Sequence, residues 1–178
     1  MRMATNEDLA EMLRRGTLAR RAGRFSEALQ SMNEAAALCG PDQDYDRAHV
    51  LRELGELARN QHDPDTAQVQ YEQAVALLRN SDDRLKLAHT IRHLGDIHAG
   101  RHHWYQADRC FVEALEIYRS HPSPGLLDFA NAIRAYAALK AEIGQRNEAR
   151  ALWAEARELY EAEGIAAGVE ECSRRLDK

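Results

Sequence analysis

The sequence is poor in the residues that build sheets. Proline occurs four times in 178 residues and aromatic side chains make up 6%. Valine, isoleucine and threonine are also scarce, so strands have little to draw on and an all-α fold follows. Cysteine is limited to Cys39, Cys110 and Cys172, far apart and without CxxC spacing. Three thiols so placed make neither a disulfide framework nor a paired-cysteine metal site, and they read as reduced, small hydrophobic residues. Positive charge is not in excess either. A net charge of -5 argues against nucleic-acid phosphates or an anionic membrane as the main partner. No apolar run approaches the ~20 residues that span a bilayer. The stretch from Met1 to Asp8 lacks a signal-peptide apolar segment, so the cytoplasm is the expected compartment. Finally, the chain has no GxxxxGK[ST] phosphate loop, no strand-borne GxGxxG and no GxSxG elbow, so neither an enzyme nor a cofactor is expected.

Alanine, leucine, glutamate and arginine dominate what is present, and they recur. Gly16, Gly55 and Gly95 set a register. Twelve residues after each comes an alanine (Ala28, Ala67, Ala107), four further a large side chain (Met32, Tyr71, Phe111), and three beyond that another alanine (Ala35, Ala74, Ala114). A fourth copy runs through Ala137, Ala149, Trp153 and Ala156, and Leu38, Leu77, Ile117 and Leu159 close the second helices. Small residues let two antiparallel helices approach closely, and the bulky residue fills the groove against the neighbouring pair. Trp104, Tyr105 and Trp153 stand where such packing wants bulk.

This pattern resembles the tetratricopeptide repeat, over nearly the whole chain and in four copies. The resemblance implies a right-handed α-solenoid of four helical hairpins, with repeats at about 6–42, 44–82, 83–122 and 125–162 and a capping helix at 165–177, all in one domain spanning 1–178. The register residues are 39, 40 and 42 apart, like the longer-repeat branch of that family. The predicted helices are 6–22 and 25–39, 44–61 and 64–80, 83–101 and 104–120, 125–143 and 146–162. Turn-rich segments at 40–44, 80–83 and 121–125 connect them. In the last helix Ile165, Val169, Cys172 and Leu176 form a stripe spaced to lie on the last repeat, with Glu170, Glu171, Arg174, Arg175 and Asp177 opposite.

In this family the first helices line a concave face, and ligands contact repeat positions two, five, nine, twelve and thirteen. Carried over with the glycine as position eight, position five is Leu13, Arg52, Arg92 and Arg134, and position two is Ala10, His49, His89 and Asn131. Positions twelve and thirteen add Arg20, Arg21, Arg59 and Asn60. Equivalent side chains of stacked helices stand roughly 8–10 Å apart, so the three arginines form a candidate ladder for carboxylates along an acidic peptide. Their other reading is as solvated partners of Glu53, Glu56, Asp96 or Glu142. Position nine holds Thr17, Glu56, Asp96 and Ala138, without the asparagine of a carboxylate clamp.

Among the eight histidines, His89/His93 and His98/His102 have the i,i+4 spacing that can put two imidazoles on one helical face. No HExxH signature accompanies them, His102 and His103 fall in a turn, and no metal is expected. The sequence therefore predicts a protein- or peptide-binding adaptor. A self-associating regulatory module is the alternative, with a homo-oligomer as its possible form, and a metal-dependent enzyme is a distant third.

Overall fold

The computed structural model describes residues 6–40 and 42–177. Pro41 of the first predicted connection and Met1–Thr5 of the N-terminal stretch lie outside the described residues. Among those described there are nine α-helices and no strand: α1 (Asn6–Arg21), α2 (Phe25–Leu38), α3 (Asp44–Asn60), α4 (Pro64–Leu78), α5 (Arg84–Gly100), α6 (Trp104–Ser120), α7 (Leu126–Glu142), α8 (Arg146–Ala162) and α9 (Ala166–Leu176). The predicted boundaries hold to within two residues. The chain divides between Asp82 and Asp83 into two compact units, α1–α4 and α5–α9. No helix among the described residues is long and apolar enough to cross a membrane.

Each hairpin reverses direction the same way. The first helix ends in a residue with left-handed backbone: Gly23 at φ 73°, His62 at 59°, His102 at 59° and Gly144 at 82°. The next N–H reaches back to a carbonyl of the last helical turn: Arg24 to Ala19 (2.9 Å), Asp63 to Ala58 (2.9 Å), His103 to His98 (2.9 Å) and Gln145 to Lys140 (2.8 Å). These bonds satisfy carbonyls that the helix end leaves open. Where possible the next helix is started by a carboxylate. Asp63 accepts from the Thr66 N–H, with Pro64 opening the helix, and Asp83 accepts from the Lys86 N–H. A Cβ in the left-handed region costs about 1–2 kcal/mol, and glycine returns about 0.4–1 kcal/mol of that through the entropy of the unfolded chain. His62 is exposed, so His62→Gly should stabilise the protein by about 0.5 kcal/mol. Urea unfolding checks this through a raised midpoint at unchanged slope.

In the first unit the glycine register is a steric lock. A Cβ on Gly55 would stand 2.8 Å from the Tyr71 ring, and Ala67, Tyr71 and Ala74 are all fully buried. The second hairpin leans on the first through Leu9, Leu13, Met32, Ala35 and Val50, a cluster drawn from α1, α2 and α3. In the second unit a Cβ on Gly95 would come within 3.0 Å of Phe111. Ala107 and Phe111 of α6 pack against Leu139 of α7. Trp153 of α8 is buried.

Two expectations about packing change. In α4 and α8 the buried residue closing the helix is one place later than the repeat pattern suggests: Leu78 and Tyr160 are buried, whereas Leu77 and Leu159 are half-exposed; in α6 both Ile117 and Tyr118 are buried. Tyr105 is not a packing residue. It is 71% exposed, with the Arg109 guanidinium 5.9 Å from its ring centroid.

Helix α9 lies on α8 through Cys172, which is fully buried, and through Gly168, where a Cβ would meet the Tyr160 ring at 2.5 Å. The side opposite its apolar stripe is not purely solvated, since Glu171 pairs with Arg134 and Arg175 lies over Trp153 at 5.7 Å.

Candidate functional site

In each unit the first helices of the hairpins carry the repeat positions singled out above. In the α1–α4 unit, α1 and α3 border a groove of 610 Å³ lined by Ala10, Leu13, Thr17, His49 and Arg52, together with Arg14, Arg21, Asp46 and Glu53. Leu13 is buried as its apolar floor. Beneath it lies Glu53, with its side chain only 3% exposed. This carboxylate accepts from the Thr17 hydroxyl (3.1 Å) and the Arg20 Nε (3.3 Å), and it also binds the Arg52 guanidinium. A buried carboxylate is retained only when its lone pairs are filled this way. Arg52 therefore holds the groove together from below while bordering it. Arg59 pairs with Glu56 at 3.0 Å, and Asn60 is exposed at the helix end.

In the α5–α9 unit, a shallower groove of 330 Å³ is lined by Asp96, Ala99, Arg134, Ala138 and Glu142, with Trp104 and Phe111 at its base. Arg134 reaches Glu171 of α9 at 3.3 Å. Asn131 accepts a hydrogen bond of 2.7 Å from the Tyr160 hydroxyl, so it braces α7 to α8. Arg92 is nearly buried and donates to Asp96 (2.8 Å) and to Nε2 of His93 (2.9 Å). Each of the three candidate arginines thus has a carboxylate partner within its own unit.

The histidine pairs behave differently from one another. His98 and His102 are not brought together: the His102 ring meets Trp104 edge-on at 4.7 Å, and His98 faces His103 at 6.0 Å. His89 and His93 converge, with their Nε2 atoms 3.1 Å apart. Nδ1 of His89 lies 3.5 Å from Asp128 and Nδ1 of His93 lies 3.5 Å from Asp96. Burial pushes the His89 imidazole below its ordinary range, against the pull of Asp128. The hydrogen bond from His89 in turn holds the Asp128 carboxyl below its usual range. A neutral ring donating Nδ1–H to an ionised carboxylate meets both tendencies.

Two residues of these surfaces, Asp128 and Lys140, were not singled out from the sequence, and Glu171 stood there only on the outer side of the last helix. Lys140 is nearly buried and bonds to Asp108 (2.9 Å), Glu148 (3.1 Å) and Gln145 (2.9 Å). Burial opposes its charge, but hydrogen bonds to Asp108, Tyr136 and Glu148 prevail and hold the ammonium above the usual lysine range. Glu53 and Glu56, three residues apart, carried the clearest signal, two charges among the apolar residues that α3 buries.

Comparison with known proteins agrees with this architecture. A family profile described as tetratricopeptide repeat matches residues 8–80 and 46–120. No curated protein matches the chain. Among solved structures, the apo form of RapI superposes with a TM-score of 0.81 at 12% identity, over 94% of this chain and 61% of RapI. BtubC (BKLC) from P. vanneervenii gives 0.69 at 18% identity, over 91% of this chain and 75% of BtubC. PilF of Pseudomonas aeruginosa gives 0.69 at 13% identity, over 97% and 76%. At such identities the likeness is one of fold.

Proposed function

The chain belongs to the tetratricopeptide repeat family, whose folds generally serve as protein–protein interaction scaffolds, and on that premise we propose that it is a peptide-binding adaptor that takes an acidic ligand along its first-helix face. The reading is supported by one observation above all: in each unit some of the residues at the family's contact positions line an open groove, His49 and Arg52 among them in the first and Asp96 and Arg134 in the second, while Arg92, His89 and Asn131 stand outside it. In the first unit that groove carries Arg14, Arg21 and Arg52 against Asp46 and Glu53. Glu53 is covered and paired with Arg52, and Arg14 pairs with Glu11. His49, His89, Asn131, Arg59 and Asn60 are the flanking polar contacts of this proposal. The helices are fixed by buried packing before any ligand arrives, which limits the ordering cost of binding. The reading does not require chemistry at the groove.

Because Arg52, Arg92 and Arg134 already have internal partners, a ligand carboxylate gains only the difference between old and new contacts. Replacing all three by glutamine removes charge while keeping bulk. The expected outcome is binding weakened on the order of tenfold, at the scale of charge-assisted contacts discounted for the pairs given up. A peptide array screened with the purified protein supplies the ligands. Selected peptides should be enriched in aspartate and glutamate and should bind less tightly as salt rises. Selected peptides with no acidic excess, or unchanged affinity in the triple variant with its helix content intact, would sink the acidic reading.

A further inference from the structure

We infer that His89 and His93 form a chelate for a divalent transition-metal ion of the zinc, nickel or copper type. Their Nε2 atoms, one turn apart on α5, lie 3.1 Å from each other. Two nitrogens bound to one tetrahedral ion at 2.0–2.1 Å are separated by about 3.3 Å, so the pair needs to open by only a few tenths of an ångström. Each ring also has a carboxylate behind it: Nδ1 of His89 faces Asp128 of α7 and Nδ1 of His93 faces Asp96, both at 3.5 Å. A carboxylate behind the far nitrogen is the arrangement that orients metal-bound histidines and raises their basicity.

Counting protons sharpens the point. Turning each Nδ1–H toward its carboxylate uses the single proton of each neutral imidazole. In that tautomer both Nε2 lone pairs point into one gap, which suits a cationic centre. The Arg92 guanidinium supplies part of that charge, with Nη2 at 2.9 Å from Nε2 of His93. Its other arm is bonded to Asp96 at 2.8 Å, so it can swing off His93 without losing its carboxylate. A metal ion would enter from the His89 side, because the His89 side chain is 24% exposed and that of His93 only 5%. Imidazole donors suit zinc, copper and nickel, and water fills the remaining positions.

The test uses Zn²⁺ alone and the full chain. Calorimetry should show one site lost in the His89→Gln, His93→Gln double variant and retained in a His102→Gln, His103→Gln control. Asp128→Asn should weaken the site about 10- to 100-fold, the usual effect of removing such a backing group. Arg92→Gln should tighten it, because a competing cation is removed. Imidazole ¹⁵N spectra should show Zn²⁺ on Nε2 of both His89 and His93. Absence of saturable Zn²⁺ binding, binding unchanged in the double variant, or zinc found on His102 and His103 instead would overturn the assignment. The peptide screen above bears on neither result.

Discussion

Substituting arginine for Ala107 should lower stability by at least about 3 kcal/mol, enough to leave much of a marginal protein unfolded at room temperature. Ala107 is fully buried and packs with Phe111 and Leu139, with Trp104, Tyr136 and Ala99 at the edge of the same cluster. A longer side chain must push these rings aside, a cost of about 1–3 kcal/mol. The guanidinium adds an unpaired charge, worth about 3–5 kcal/mol in a buried setting. Snorkelling toward Asp108 offsets part of that sum. Urea unfolding followed by circular dichroism gives the difference directly. A midpoint equal to that of the native protein would mean that the repeat register through Ala107 is wrong.

Removing residues 165–178 is the second large change, and its effect should appear in association more than in stability alone. The α8 face beneath α9 includes Tyr160, whose ring touches Gly168, and Trp153, under Arg175. Both side chains are buried in the full chain. Fully burying one large apolar side chain is worth about 1.5–3 kcal/mol, so uncovering these two should lower the thermal midpoint by several degrees, at the scale of about 2–4 °C per kcal/mol for a domain of this size. It would also leave an apolar patch of the kind that drives self-association. Arg134 would lose Glu171 as well. Light scattering should report dimers or larger species at micromolar concentration. A truncated chain that stays monomeric with the native midpoint would show that α9 is not what keeps this face dry.

The fold was legible because its signals are local and repeated. Gly55 with Tyr71 and Gly95 with Phe111 are each a pairing of small and large residues at fixed spacing, and the structure brings both pairs into contact. The turns were legible as turns, but not their geometry: nothing in the letters His62 or His102 announces a left-handed backbone where Gly23 and Gly144 have one. The candidate site was less legible for a different reason. The positions of Arg92 and Arg134 follow from the repeat, yet their partners do not. Asp96 is on the same helix as Arg92 and falls within reach of a spacing argument. Glu171 is 37 residues from Arg134, and Asp128 belongs to a different helix from His89. Only the packing of one hairpin on another decides such pairs. Glu53 shows the same limit, because its burial depends on Thr17 and Arg20 from the preceding hairpin.

The identical reversals at Gly23, His62, His102 and Gly144 bear on how quickly the chain acquires its structure. Each hairpin asks for one uncommon backbone state and a connection of only a few residues, so its two helices meet with little loop entropy to overcome. Closing a 10-residue loop takes about 10–100 ns and forming a helix about 0.1–1 μs. Individual hairpins should therefore assemble on the microsecond scale. The slower events should be those that bring one hairpin onto the next, where Phe111 finds Leu139. His62→Gly, which eases one reversal formed before that slow step, should accordingly speed refolding slightly and leave the unfolding rate almost unchanged.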